Sequence, residues 1–357
     1  MDTESAPETS AEISNAAPLL LLSVVVPARN EAESIRACVA SLVRQSEEDF
    51  FLGRDWELIV VDDASTDATG KIAGEFAGVG VMEAPALPPG WTGKVNAAWA
   101  GAQRACGKWL LFTDADTVHE PGSLRRAIHE AERYHVAMLS YSPRQIVRGL
   151  WQRALMPLVF ADLTQKYPPR LVNHPDSPVA AANGQFLLVE REAYRRIGGH
   201  KAVRSDIVED LELARLAKQA HVGLRFRYAG DAVSTRMYRS FAAMCEGWKK
   251  NLALLFPDTL MRGLGKLFQA ALIFGLPLLA VWLYLIVART ELIWVVALWW
   301  FWRLGVHFSR VAKAHFSAAD TVLSILGLPL YAWLLLDSWM RKTFHRPVRW
   351  KGRDYPA

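Results

Sequence analysis

From Leu20 to Leu139, apolar runs of strand length alternate with stretches whose apolar residues recur at helical spacing. "LLLSVVVP" leads to a helical pattern over Ala32–Arg44, and "WELIVVDD" to one over Asp67–Phe76. "VGVME" leads, through the loop "APALPPGWTG", to Lys94–Ala105. "WLLFTDAD" leads to "PGSLRRAIHEAERYH", where Pro121 suits a first helical turn. Continuously apolar strands separated by helices predict a parallel sheet covered on both faces. A second block, Pro178–Tyr228, predicts a strand, a short helix, a Gly-Gly turn, an amphipathic helix opening at Glu209-Asp210, and a last strand.

After Leu252 the pattern changes. Leu264–Ala288, Leu292–Phe308 and Thr321–Trp339 are apolar stretches near the length that crosses a bilayer, with Trp, Tyr and basic residues near their ends. Arg303 interrupts the second. Arg303, Arg310, Lys313 and the basic run Arg341–Arg353 favour the cytoplasmic side. A soluble domain on that same side requires an even number of crossings. Either the segment around Arg303 lies in the interface, or the third stretch folds back at "GLP". The stretch Gly149–Leu163 suits either a membrane surface or a core helix. The expected organisation is a disordered tail over 1–17, an α/β domain over 18–255, membrane helices over 256–340 and a basic tail over 341–357.

Composition narrows the class. Of the 357 residues, 52% are hydrophobic and 14 are Trp, and that excess gathers in the last third. The net charge of +5 owes much to the C-terminal basic run, which suits a membrane surface. Nucleic acid is not expected as a partner, because the rest of the chain lacks an interleaved basic and aromatic pattern. Three widely spaced cysteines fit neither a metal site nor a disulfide framework and point to a reducing compartment. The apolar run before "PARNE" has no basic flank and no cleavage site, so it reads as a strand rather than a signal peptide.

The chemistry-bearing residues fall at strand ends: "PARNE", "DDASTD" and "DAD". Helix capping accounts for Ser65 and Thr66 but poorly for adjacent Asp62-Asp63, or for Asp114 and Asp116, whose charges repel. Carboxylates one residue apart at the mouth of a parallel sheet suit Mg2+ or Mn2+ shared with substrate phosphates. Acidic residues in a first helical turn also favour the helix dipole, so Glu209 and Asp210 fit both capping and chemistry.

"VVVPARNE", "VVDDASTD", "GKVNAAWAG", "FTDADT" and "VEDLELARLAKQAHVGLRF" occur in this order over Leu20–Asn251. Together they resemble the family 2 glycosyltransferases of GT-A fold. The resemblance implies a Rossmann-like, mostly parallel α/β sheet with helices on both faces. It implies that Pro27, Ala28, Asn30 and Glu31 line a nucleotide pocket, that Asp62 or Asp63 binds the base, and that Lys94 lies near the phosphates. Asp114 would contact ribose or donor sugar and share the metal with Asp116. Asn183 and Gly184 would shape the sugar and acceptor cleft, and Asp210, beside Glu209, would be the catalytic base. The Gln-x-x-Arg-Trp of processive members is absent from "TRMYRSFAAMCEGWKKN", where Trp248 and Lys249, with Arg236 and Arg239, would form a lid over the diphosphate or an interfacial patch. "LPPGWTGKVNAA" and the apolar C-terminal part resemble the membrane-attached branch that includes hopanoid-associated and carotenoid glycosyltransferases.

The expected function is inverting, metal-dependent transfer from a UDP- or GDP-sugar to a lipid hydroxyl, by a multi-pass membrane protein with a cytoplasmic catalytic domain. A polyprenyl-phosphate acceptor is one alternative. A catalytically silent nucleotide-sugar binding protein is another, although every motif carboxylate is in place. A P-loop nucleotidase is excluded, because "GWTGKVN" lacks the Gly-x4-Gly-Lys-Ser/Thr spacing.

Overall fold

A computed structural model describes residues 20–45, 49–287, 290–346, 348–350 and 353–355. The expected tail over 1–17 and part of the basic tail lie outside them. The chain divides into two compact units: residues up to 143 with 169–235, and residues 144–168 with 236 onward.

The elements are β1 (Leu20–Ala28), α1 (Ile35–Val43), β2 (Trp56–Asp62), α2 (Thr69–Ala73), β3 (Val79–Glu83), α3 (Gly93–Arg104), β4 (Gly107–Phe112), β5 (Thr117–His119), α4 (Ser123–Arg133) and β6 (Met138–Ser142). There follow β7 (Arg144–Gln145) and α5 (Gly149–Lys166), which belong to the second unit. The first unit resumes with α6 (Pro169–Val172), β8 (Leu187–Glu190), α7 (Arg191–Arg196), α8 (Gly199–Ala202), α9 (Glu209–Gln219), β9 (Leu224–Tyr228) and β10 (Val233–Thr235). The second unit continues with α10 (Phe241–Leu255), α11 (Thr259–Trp282) and a π-helical turn at Leu283–Val287. It ends with α12 (Thr290–Val311), a 3-10 turn at Ala312–Ala314, α13 (Ala318–Thr343), β11 (Val348–Trp350) and β12 (Arg353–Tyr355).

In the first unit a seven-stranded sheet runs in the order β3-β2-β1-β4-β8-β6-β9. It is mostly parallel. β1 pairs with β2 and β4 in parallel register, while β8 is antiparallel to both β4 and β6. Leu22, Val24 and Val26 of β1, Leu58 and Val60 of β2, and Leu111 of β4 are fully or almost fully buried on the face that meets α1 and α4. On the other face Gly101 lets α3 approach Val25 and Val61, where a Cβ would collide with both. Because β1, β2 and β4 are parallel and adjacent, their carboxyl ends open on one edge, and the loops there carry the motifs. Pro121 does not enter α4. Gly122, at φ 71°, turns the chain in the left-handed region that favours glycine, and the helix starts at Ser123.

The second unit has its own core around Leu155, Val159, Trp248, Phe256, Leu328 and Leu335. Its division from the first unit falls before α10, earlier than residue 255, because α10 packs on α13. Ser338 Oγ donates to the Lys249 carbonyl (2.7 Å) and accepts from the Ala253 amide (2.9 Å). Three helical stretches, Thr259–Ile286, Glu291–Ala314 and Ala318–Thr343, are long and apolar enough to cross a membrane. α13 runs unbroken through Gly327-Leu328-Pro329, so the chain does not fold back there. Gly327 instead brings α13 against the backbone of Ala154 on α5.

Candidate active site

The loops after β1 and β2 are tied together. Arg29 Nη1 donates to the carbonyls of Asp63 (2.5 Å) and Ala64 (2.9 Å). Asn30 Oδ1 accepts from the Thr66 amide (2.8 Å), and the Asn30 amide donates to Ser65 Oγ (3.0 Å). The amides of Glu31 and Ala32 donate to Thr69 Oγ1 and Asp67 Oδ2. Asp62 Oδ1 holds the Ser65 amide at 2.9 Å, and the Asp63 amide donates to the Ala28 carbonyl. Pro27, Ala28, Asn30, Glu31, Asp62 and Asp63 thus gather at one sheet edge. Ser65 and Thr66 were expected as caps of α2. They are cross-loop ties instead, and Asp67, through the Thr69 amide, supplies the helix start.

The "DAD" turn links β4 to β5 and has a pinned backbone. The Asp114 carbonyl accepts from the Thr117 amide (3.2 Å) and hydroxyl (2.7 Å). The Asp116 carbonyl accepts from Thr235 Oγ1 (3.3 Å). Thr113 Oγ1 donates to the Gln185 carbonyl and lies 3.1 Å from His119 Nε2. Burial pushes His119 down to about 3, so this support is a neutral imidazole. Burial likewise pushes the Cys38 thiol, 3.7 Å from the Asp114 carbonyl, up to about 12.

Lys94 joins this turn to α9. Thr92 Oγ1 caps α3 by accepting from the Val95 amide, which places Lys94 in the first turn. Its Nζ is 2.7 Å from Asp114 Oδ1 and 2.8 Å from Glu209 Oε1. The side chain as a whole is 42% exposed, yet its ammonium end is enclosed. That loss of water would lower Lys94. The charges of Asp114, Glu209 and Asp210 outweigh it and hold the group well above the usual lysine range. Asp210 Oδ1 accepts from the Leu211 amide (2.8 Å), and Oδ2 accepts from the Gly184 amide (2.7 Å). Burial first, and then the Glu209 carboxylate, push Asp210 up to about 6 against the pull of Lys94. A Cβ at Gly184 would stand 3.0 Å from Lys94 Nζ and 3.5 Å from Asp210 Oδ2. Pro27, Lys94, Asp114, Gly184, Glu209 and Asp210 therefore line one pocket.

Known proteins resemble this chain in sequence and fold. Residues 23–198 match the profile of glycosyl transferase family 2. Over that span the chain is similar to the family 2 glycosyltransferases. A 4,4'-diaponeurosporenoate glycosyltransferase of Staphylococcus aureus is 24% identical over 347 residues, covering 94% of this chain and 88% of that one. Its counterpart in Staphylococcus haemolyticus is 30% identical over 241 residues, covering 65% and 61%. Among solved structures, a mannosyltransferase from Pyrobaculum calidifontis in complex with GDP-Man and Mn2+ superposes with a TM-score of 0.51 at 16% identity, covering 93% of this chain and 89% of that one. The glycosyltransferase fold is the GT-A one expected from the sequence.

The pocket also contains residues that were not singled out from the sequence. Thr113, Leu187 and His200 line it. His200 lies edge-on to Phe112 (4.5 Å between ring centres) and 2.8 Å from the Tyr194 hydroxyl. Burial, then the Lys94 charge, push it down to about 3, so it is a neutral wall beside the ammonium. Only its place after the Gly198-Gly199 turn could have marked it. Asn183 acts locally: its Oδ1 accepts from the Gln185 amide and its own amide donates to Ser140 Oγ, which shapes the turn that presents Gly184. Trp248 and Lys249 lie in the second unit. Trp248 is 2% exposed, with Nε1 at Met156 Sδ, and Lys249 Nζ stands over the Trp333 ring (4.2 Å). Both side chains are engaged in that unit's own packing.

Asp114 and Asp116 stand one residue apart in the turn after β4, with Asp114 Oδ1 2.7 Å from Lys94 Nζ. Among the described residues no cluster of three or more His, Cys, Asp or Glu could hold a metal alone. Of the two aspartates, Asp114 lines the pocket; carboxylate oxygens are the hard donors that Mg2+ and Mn2+ take, with phosphates and water as further ligands.

Proposed function

We propose that the chain transfers a sugar from a UDP- or GDP-sugar to an oxygen of a membrane lipid, with inversion and with Mn2+ or Mg2+. The observation that carries this reading is Lys94 bridging Asp114 and Glu209, with Asp210 in the same pocket. Pro27, Ala28, Asn30, Glu31 and the Asp62-Asp63 pair supply the nucleotide wall. Asp116, with Asp114, holds the cation, which when bound supplies positive charge to the leaving nucleoside diphosphate. Lys94 balances the carboxylates and faces the phosphates. Asp210 Oδ accepts the proton of an attacking hydroxyl, and the Gly184 amide fixes the carboxylate for that task. Direct attack from one face needs no second nucleophilic carboxylate and inverts the anomeric carbon. The names of the staphylococcal relatives support a carotenoid-type acceptor, and the apolar helices support a membrane-held catalyst.

The test is transfer by the detergent-solubilised protein from a panel of UDP- and GDP-sugars. Mn2+ or Mg2+ and a total lipid extract complete the reaction, and Asp116→Asn is the control. A metal-dependent glycolipid that disappears in the variant is expected. Nucleotide binding with no transfer from any donor in the panel would overturn the reading in favour of a binding protein.

A further inference from the structure

The three apolar helices are not equivalent. Within the second unit α11 and α13 run in opposite directions: Gly263 lies at Leu335 and Leu336, and Lys266 Nζ is 5.3 Å from the Tyr331 ring. α11 and α12 are also opposed. Gln269 Nε2 is 2.9 Å from His307 Nδ1, and Trp300 Nε1 donates to the Ile273 carbonyl (2.8 Å). α12 and α13 therefore run in the same direction. Successive membrane spans alternate in direction, so α13 is not the span that follows α12.

A polar layer marks where the helices part company. His307 bridges Gln269 of α11 and Ser324 of α13, with Nε2 2.8 Å from Ser324 Oγ. Beyond it α11 and its π-helical turn continue to Val287, and α12 comes back from Thr290. Each limb extends about 26 Å at ~1.5 Å per residue, close to the ~30 Å hydrocarbon core. α13 begins at Ala318 and reaches only about 9 Å past the same layer. The most exposed of the large apolar side chains lie beyond the layer. Leu278, Ile286, Trp294 and Leu298 are 70–78% exposed. Within the unit, the most apolar stretches of the two hairpin limbs are 22% and 6% buried, and that of α13 is 50% buried.

α13 is also sheathed in polar contacts along its length. Asp320 pairs with Arg153 of α5 (2.5 Å), and the Tyr331 hydroxyl donates to Asp162 of α5 (3.0 Å). Ser338 and Lys342 donate to carbonyls of α10. α5 and α10 carry Arg153, Asp162 and Lys249, charges that are costly in hydrocarbon. Arg303, one turn from His307 on α12, is close enough to the polar layer for its head to reach the interface.

We propose that the chain enters the membrane as a two-crossing hairpin, α11 with α12 beyond the Gln269–His307–Ser324 layer. α13 stays with α5 and α10 on the side of entry. This rests on the membrane-held reading above and resolves its even-crossing requirement: Arg303, Arg310, Lys313 and the C-terminus share one side.

The test is labelling by a membrane-impermeant maleimide in sealed vesicles of both orientations. It uses full-length single-cysteine variants in a background where Cys38, Cys106 and Cys245 are replaced. Lys71→Cys reports the side of the first unit. Lys313→Cys and Arg346→Cys should label with Lys71→Cys, and Glu291→Cys only from the opposite face. Arg346→Cys labelling with Glu291→Cys would make α13 a third span and overturn the proposal. All four labelling from one face would overturn the crossing itself. A reporter fused after Ala357 of the native-cysteine chain repeats the decisive arm should the background fold poorly. Retention of the native chain in carbonate-washed membranes separately tests the membrane-held premise.

Discussion

Asp210 is the residue on which the proposed chemistry turns, and its environment gives the expected pH profile. Burial and Glu209 push it up to about 6. The active form is the carboxylate, so activity rises with pH through about 6 and levels above it. Such a group is roughly 90% ionised at pH 7 and roughly 10% at pH 5, so kcat/KM should fall about tenfold between them. Asp210→Asn removes the base and should cost two to four decades, about 3–5 kcal/mol of barrier. Fold and chemistry separate by sign. The folded pKa lies above the unfolded one, so the native state holds this proton more tightly. The group's contribution to stability is present below about pH 4 and is lost as pH climbs to about 6. At pH 7 the Asn variant should therefore be no less stable than the parent. The assay is glycolipid formation at saturating metal across pH 5–8, with thermal unfolding in parallel. A rate flat down to pH 5 would refute the argument. So would an Asp210→Asn chain within tenfold of the parent while Asp116→Asn is inactive, which is the pattern of an acceptor that arrives already ionised.

Asp116→Asn should abolish metal-dependent tightening of nucleoside diphosphate binding and lower transfer by two decades or more, with unfolding unchanged; calorimetry with and without Mn2+ checks it. Gly184→Ala puts a methyl group 3.0 Å from Lys94 Nζ, so it should lower kcat several-fold with little change in unfolding temperature. Loss of fold instead would show that the pocket cannot yield there. Gly327→Ala would overlap the Ala154 carbonyl and should destabilise the second unit by about 1–3 kcal/mol, read by denaturation in detergent. An unchanged midpoint would mean that α5 and α13 part easily.

The parallel strands were legible because β1, β2 and β4 are buried on both faces and so carry unbroken apolar runs. The antiparallel β8 was not, since "FLLVE" is equally apolar whichever way it enters. The carboxylates of the pocket were legible as motifs, but their partners were not. Lys94 meets Glu209 across 115 positions of sequence, and only the tertiary fold brings them to 2.8 Å. His200 stayed hidden because an aromatic stack and a tyrosine hydroxyl hold it, and neither leaves a spacing in the chain. The helices Gly149–Lys166 and Phe241–Leu255 blur the domain boundary for a related reason. Each mixes apolar and charged residues, and the sequence does not say that both pack on α13.

The ties between the first two loops carry a consequence for specificity. Asn30 holds Thr66, Arg29 holds the Asp63 and Ala64 carbonyls, and Glu31 and Ala32 lean on Thr69 and Asp67. The wall proposed for the nucleotide is therefore one mechanical part assembled from two segments of chain. Changes on either segment should not add, and a double-mutant cycle across Asn30 and Thr66 should show strong coupling. On the proposed function, choice of base is a property of the pair of loops, and it would have to be redesigned as a pair.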